Sequence, residues 1–464
     1  MTSASQPDNQ HIAVFSPYLQ GFYLGEIVDQ IRQLCSINHY KFTAIRTDSL
    51  ATFDIPLGVS HFTGVIILKN AISPALADRI LTMGIPVVSI AYDYYPLEIP
   101  VVGCDNEQAV ALAYNYLKEL GHNQIAYVGD FSQYDLRKRF EYFGNLCDQD
   151  KDSNSDLDTF YPVDNSLYRG GLNAAKAFLK RGDTSTAVIC GAGLTAIGFY
   201  EKINKSNRKI DVVGFDATSI TPIYAPNIVA VDQNLHLIAH KALAVIKNIQ
   251  QQEEVQREEL VPARLILPNE NKDTTLNDYM VTCTEKNIFA NTNYAKALIT
   301  NNYEWTKQII DSNLDELMSI YPVFRDFMQA GLLCRTKPGA NNETQLIATR
   351  AYTESETINL VSMDPPLSFS ADTYPVEKQN SHIFIEGMIN THFPITVGGK
   401  NWGVLSFSGP ANLAQTSCSY MGFTSYVDTI TQNLANVLLA KTVLKTSEWT
   451  WILKHTCTPL APYL

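Results

Sequence analysis

The sequence has little of what membrane, disulfide-bonded and nucleic-acid-binding proteins need. No uncharged run approaches the ~18 apolar residues that cross a bilayer. The polar opening MTSASQPDNQ lacks the basic start and apolar stretch of a secretory leader, so a cytoplasmic protein without a membrane partner is expected. The eight cysteines, Cys35, Cys104, Cys147, Cys190, Cys283, Cys334, Cys418 and Cys457, contain no C-x-x-C pair and no metal-like pairing with histidine. Free, mostly buried thiols are expected of them. Basic residues are outnumbered, 35 Lys and Arg against 47 Asp and Glu, for a net charge of -12. Because phosphate binding depends on Lys and Arg displacing condensed counterions, this argues against a large nucleic-acid surface. The basic clusters are short: Arg137, Lys138 and Arg139, or Lys205 with Arg208 and Lys209.

Catalytic signatures are missing as well. There is no P-loop, no G-x-S-x-G and no G-x-G-x-x-G after a strand, and GAGLTAIG lacks that spacing. His236 and His240 share a helix face at i, i+4, but the glutamate of H-E-x-x-H is absent and no third ligand suggests itself. Val397 to Lys400 is too short a likeness to the GGDEF motif of diguanylate cyclases. No enzyme, metal or cofactor is expected.

What is there is an ordinary folded composition, 45% hydrophobic and 18% charged, in 464 residues, enough for two or three domains. From His11 to Asp130 apolar runs (HIAVFSP, KFTAIRT, GVIILKN, IPVVSIAY) alternate with helix-period stretches at Phe22 to Ser36, with Ile27, Ile31 and Leu34 on one face, and at Pro74 to Met83. The unit repeats after Gly121: QIAYVGD, a helix around Arg137 to Cys147, TFYPVDN, a helix from Gly170 to Arg181, AVICGAG, a helix from Thr195 to Ile203, and IDVVGFD. Alternation of this kind builds parallel sheets covered by helices. Two such units predict an α/β fold of two lobes, with a ligand outside the carboxyl ends of their strands.

Beyond it, residues 249–258 read as an exposed helix end and loop, VPARLILP as a strand, and 269–285 as a linker. Residues 286–330 read as helical, 331–408 as strand-rich and 418–448 as helical again, with FPITVGGKNWGVLSFSG a hairpin turning at Gly398 and Gly399. That order gives an α+β domain over 286–464, similar to GAF or PAS sensor modules. The final helix, about Tyr426 to Trp451, carries Ile430, Leu434, Val437, Leu438, Val443 and Leu444 at helical spacing. It either packs on its own domain or pairs with a copy in a homodimer.

Ordered landmarks carry a family resemblance: IAVFSPYLQGFYLGEIVDQI, FTGVIIL, MGIPVVSIAYD, VVGCDNEQAVALAYNYLKELGHNQIAYVGD, RKRFEYF, TAVICGAGLTAIGFYEKI, IDVVGFD and VAVDQNLHLIAHKALAVI. In this order they resemble the ligand-binding core of the lactose/purine repressor family. The resemblance implies a type I periplasmic-binding-like domain at 11–268, with lobe 1 at about 11–121 and 236–260 and lobe 2 at about 122–232 and 261–268, after a disordered 1–10. It implies a sensor of a small molecule (sugar, nucleobase or other metabolite) and a site made of Tyr18, Gln20, Phe22, Tyr23, Lys69, Asn70, Tyr92, Asp93, Arg139 and Asp216. Arg139 stands at the family's cleft arginine, where a planar guanidinium grips hydroxyls or a carboxylate. Asp216 matches its hydrogen-bond-accepting aspartate. Structural alternatives remain: a surface helix residue for Arg139, a turn or cap for Asp216, simple packing for any loop aromatic.

Two departures qualify the resemblance. Ala192 and Gly193 stand where members commonly show Asn-Asp, which removes a polar anchor and counts against a sugar. The first strand begins at His11, so no DNA-reading helix-turn-helix is expected ahead of it, and no output motif is expected before APYL. The arrangement resembles the sensory half of a bacterial signalling or transcription regulator. A regulator that reaches DNA through a partner or a lost domain, or a truncated diguanylate cyclase or histidine kinase, are the alternatives. The acidic charge predicts no sequence-selective retention of duplex DNA at physiological salt. A gel-shift against promoter fragments checks this, and selective retention competed away by one operator would reverse it.

Overall fold

Runs such as HIAVFS and GVIIL are apolar at nearly every position rather than at alternate ones, the pattern of strands covered on both faces. In the computed structural model both are buried throughout. It describes residues 10–268 except 20, 49, 151–158 and 218–220, then 330–339, 343–353, 359–374, 388–397, 400–410, 431 and 435–436. The chain divides into two units, one of Met1–Phe42, Ser49–Asp54 and Phe62–Ile288, the other of Thr43–Asp48, Ile55–His61 and Phe289–Leu464. Among the described residues no helix is long and apolar enough to cross a membrane.

The chain begins with β1 (His11–Ser16), a π-helical turn at Gly21–Gly25, α1 (Glu26–Ile37) and β2 (Lys41–Arg46). It continues through β3 (Gly64–Leu68), α2 (Pro74–Thr82), β4 (Val87–Ile90) and β5 (Val101–Cys104). The second half of the first unit is α3 (Asn106–Glu119), β6 (Ile125–Gly129), α4 (Tyr134–Gln149), β7 (Phe160–Pro162), α5 (Tyr168–Arg181), β8 (Ala187–Cys190), α6 (Gly193–Asn204), β9 (Asp211–Phe215), the single turn α7 (Thr221–Tyr224) and β10 (Val229–Asp232). It closes with α8 (Leu235–Gln250), β11 (Glu258–Val261) and β12 (Arg264–Ile266).

Two sheets result in this unit. One runs β11-β5-β4-β3-β1, all parallel. The other runs β12-β10-β9-β8-β6-β7, parallel except for antiparallel β12. The chain crosses between them three times. Helix α3 packs on α4, β8, β10 and β12, so the first crossing falls at Asp105, ahead of the expected boundary at 121. Asp105 also caps α3, its carboxylate accepting from Gln108 N at 3.0 Å. The second crossing lies between β10 and α8, which returns to pack on α1, β3, β4, β5 and β11. The third divides the expected strand VPARLILP: Val261 ends β11 in one sheet and Arg264 begins β12 in the other, because Pro262 offers no N–H to continue a ladder. Gln108 clamps this crossing, accepting from Ala263 N at 2.8 Å and donating to Ala263 O at 3.1 Å.

Helix ends follow their sequence signals. Ser73 accepts from Leu76 N at 3.0 Å, with Pro74 opening α2, and α5 stops at Gly182, φ 67°. Helices α5 and α6 lie close because each presents glycine to the other's backbone. A Cβ at Gly171 would sit 2.0 Å from Thr195 O, and one at Gly198 would sit 2.1 Å from Tyr168 O.

The second unit is an antiparallel sheet of β13 (Ala330–Pro338), β14 (Thr344–Thr353), β15 (Asn359–Ser370), β16 (Met388–Val397) and β17 (Lys400–Pro410), in the order β16-β17-β13-β14-β15. The hairpin of β16 and β17 is present, closing at Val397 against Lys400; its turn residues lie outside the described residues. Strand β2, expected in the first lobe, pairs parallel with β16 from Thr43 to Ile45. Its last residue, Arg46, is fully buried, 2.8 Å from Asp48, 3.2 Å from the Thr431 hydroxyl and 5.9 Å from the Phe393 ring centre. Buried Tyr374 donates to Ser406 Oγ at 2.8 Å, and His392 Nδ1 lies 2.8 Å from the same oxygen. The linker and the helices expected at 286–330 and 418–448 lie outside the described residues, apart from helical Thr431, Ala435 and Asn436.

The glycine contacts give a stability prediction. Gly171→Ala should lower the urea-unfolding free energy of the protein by about 1–3 kcal/mol or more, because the methyl meets backbone that cannot rotate away. Gly144→Ala, where a Cβ meets nothing within 4 Å, should not.

Candidate functional site

Carboxyl ends of strands from the two sheets face one another across a cavity of about 280 Å³. From the first lobe come Pro17, Tyr18, Phe22, Tyr23 and Leu24 in and beside the π-helical turn, Leu50, and Lys69 at the end of β3. The second lobe adds Gln133, Asp135, Leu136 and Arg139 around the start of α4, with Ser166, Leu167, Ala192, Leu194 and Asp216, while Gln233 comes from the second crossing. Lys69 and Asp216 both follow strand ends in the left-handed region, at φ 52° and 57°. A lysine held there is a strained residue at a strand end that faces a cavity.

Arg139 is 1% exposed. Its Nε donates to Asn106 Oδ1 at 2.8 Å and its Nη1 to Gly191 O at 2.7 Å. Its Cζ lies 4.3 Å from the centre of the Phe215 ring. Its Nη2 lies 3.7 Å from Asp135 Oδ2, one helical turn earlier on α4. The other oxygen of Asp135 is 3.6 Å from Lys69 Nζ, which reaches across from the first lobe and also donates to Gln133 Oε1 at 2.6 Å. Burial pushes the Asp135 carboxyl up, but Lys69, Arg139 and the backbone N–H groups of Asp135 and Leu136 outweigh it and hold it below the ordinary carboxylate range. Tyr23 sits with its ring under Lys69, 5.5 Å from the ammonium. Removal from water, then the charges of Asp135 and Asp216, raise its hydroxyl far above the ordinary tyrosine value, so it stays a neutral donor. Asp216 accepts from Gly193 N at 3.1 Å and from the Gln233 side-chain amide.

The structure brings Tyr18, Phe22, Tyr23, Lys69, Arg139 and Asp216 to this cavity, and Gln20 lies outside the described residues. Three candidates sit elsewhere. Asn70 offers its carbonyl to Ala51 N at 2.5 Å. Tyr92 packs edge-on against Tyr94 and, across the lobes, Tyr134. Asp93 pairs with Arg257 at 2.6 Å. Sequence reasoning passed over Asp135, Gln133 and Gln233. For Asp135 a signal existed: a carboxylate four residues before Arg139 shares its helix face. At the second position of the absent Asn-Asp pair there is a steric reason for glycine, since a Cβ at Gly193 would sit 2.7 Å from Phe215 O. A smaller cavity of about 140 Å³ lies behind Asp135 and Gln233, which line both. There Lys138 of the second lobe stands 3.5 Å from Glu258 of the first.

Two parallel sheets joined by three crossings, with a polar-anchored cavity between their strand ends, define a two-lobed α/β binding domain. Residues 114–267 match the model of the periplasmic binding protein-like domain family. An uncharacterized HTH-type transcriptional regulator of Streptomyces limosus is 26% identical over 214 residues, 43% of this chain and 59% of that protein. Catabolite control protein A of Priestia megaterium is 21% identical over 254 residues, 53% of this chain and 76% of that protein. The crystal structure of the transcription regulator CcpA of Lactococcus lactis aligns at 18% identity and TM-score 0.48, over 56% of this chain and 97% of that one. The chain is similar to these transcription regulators over about half of its length, and it spans 59% of the length of the first one named.

The ionic geometry fixes a pH dependence. A carboxyl held below its unfolded value stabilises the fold above that value, and this contribution is lost as pH falls through the folded one. Unfolding free energy should therefore drop as pH falls below about 4. Asp135→Asn should flatten part of that acid limb while costing about 3–5 kcal/mol at neutral pH, because Lys69 and Arg139 lose their shared counter-charge. Denaturant titrations of both proteins from pH 3 to 7 check the sign.

Proposed function

We propose that this chain is a cytoplasmic small-molecule sensor of a bacterial regulatory system: ligand closes the two lobes of the periplasmic-binding-like domain, and occupancy is reported through the second unit. The observation that carries the reading is the cavity between the strand ends, where Lys69, Asp135, Arg139 and Asp216 converge in partial or complete burial. Buried charges at a cleft are costly for a purely structural joint and are what orient a ligand. The names of the relatives support a regulatory role, since they are transcription regulators. The second unit is read as a GAF-like module on its antiparallel sheet, and the working form as a homodimer. No catalytic role is assigned to the cleft.

A second reading, a transcription regulator that reaches DNA through a partner or a further domain, is favoured by those same names. A thermal-shift screen of metabolites tests the first. A ligand specific to the folded, closed state should stabilise the chain by about 2.7 kcal/mol at a hundredfold excess over Kd, and Arg139→Ala and Asp216→Ala should each weaken a hit by about ten- to a hundredfold. Hits indifferent to both substitutions would remove the cleft from the reading. Silence across a broad panel would remove the sensor.

A further inference from the structure

Four charged side chains line the main cavity, yet the surface it presents to an occupant is chiefly apolar. Arg139 and Asp135 are 1% and 8% exposed and face each other, and Lys69 turns its ammonium to Asp135, Gln133 Oε1 and the Tyr23 ring. Asp216 is held by Gly193 N and the Gln233 amide, and Ser166 by Asp130. Two cations stand against two anions, so the wall offers an occupant no unpaired charge. Half-buried Phe22, Leu24 and Leu194 supply the open wall, together with Pro17, Leu136 and Ala192. The rim is apolar too. Among the described residues nine large hydrophobic side chains are exposed, and three of them, Tyr18 at 46%, Leu50 at 45% and Leu167 at 57%, gather at this one mouth. Apolar side chains left in water at one place mark a surface that something covers.

Each feature constrains the occupant. A polyhydroxylated sugar would give up water at several hydroxyls to lie against Leu and Phe, at a cost for each. An ion would leave water for a wall whose own charges are already paired. An apolar molecule meets neither cost, and it gains by covering the wall and the rim. One polar group of the wall remains for it. The Tyr23 hydroxyl, which burial keeps protonated, makes no hydrogen bond to another described residue. Size sets the last limit: an apolar cavity of about 150 Å³ holds one benzene ring, so about 280 Å³ has room for two fused rings. We propose that the cleft takes a small, uncharged, chiefly apolar molecule of up to two fused rings, packed on Phe22, Leu24 and Leu194 with a single polar atom turned to the Tyr23 hydroxyl. This rests on the reading of the cleft as a ligand site.

Calorimetric titration of the full chain with indole, benzoate, adenine and ribose tests it. Indole should bind at least tenfold more tightly than each of the other three. Leu194→Trp, which fills the apolar side, should abolish indole binding. Ala192→Asn provides a second variant that keeps the fold, because Ala192 is the N-cap of α6 without a side-chain cap bond and asparagine is a favoured residue there. By setting a polar group in the apolar wall it should weaken indole at least fivefold and narrow its margin over ribose. Benzoate, adenine or ribose binding as tightly as indole overturns the apolar class and leaves the sensor reading standing. Indole binding that neither substitution changes places it outside the cleft and overturns the proposal, as do metabolite-screen hits without any indole binding. Failure of all four probes together with a silent metabolite screen takes down the sensor reading as well.

Discussion

One carboxylate shared by two cations from opposite lobes holds the cleft together. Lys69, Asp135 and Arg139 are 15%, 8% and 1% exposed, so their charges are largely out of water, where each ion costs several kcal/mol unless its partners are well placed. Arg139 meets that cost inside its own lobe, with Asn106, Gly191 O and the Phe215 ring. Lys69 does not: besides the Tyr23 face, its partners Asp135 and Gln133 belong to the other lobe. Parting the lobes would return Lys69 and Asp135 to water, so part of what closure gains in Coulomb energy is recovered by hydration on opening.

The other contacts across the lobes are weaker and sit further out. Lys138 and Glu258, 3.5 Å apart and partly exposed, are worth the fraction of a kcal/mol typical of surface pairs. Tyr92 meets Tyr134 edge-on at 6.2 Å. At the crossings, Gln108 ties the third to α3, and Gln233, on the second, is tied to Asp216.

The strands and helices of the first unit were legible because parallel strands buried on both faces leave unbroken apolar runs, and Ser73, Asp105 and Gly182 mark helix ends by type. The lobe boundary at Asp105 was not, since an amphipathic helix carries no label for the sheet it will cover. Nor was the placing of β2: KFTAIR suits any buried parallel edge, and its pairing with β16 joins residues more than three hundred positions apart. Of the residues that line the cavity, Arg139 and Asp216 were expected from family landmarks and Tyr18, Phe22 and Tyr23 from loop position. Tyr92 and Asp93 share that kind of loop position, yet their side chains turn to Tyr134 and Arg257. Which way a strand-end side chain faces depends on backbone angles that composition does not encode, such as the positive φ of Lys69.

The exchange at 192–193 links these observations. With glycine at 193, the first turn of α6 approaches β9 closely enough for its N–H to bond Asp216, an arrangement any larger residue would block. The Gln233 amide takes the aspartate's other oxygen. An aspartate so engaged joins α6 to the second crossing and has less capacity left for a ligand. The glycine at 193 and the internal use of Asp216 thus come from one close approach.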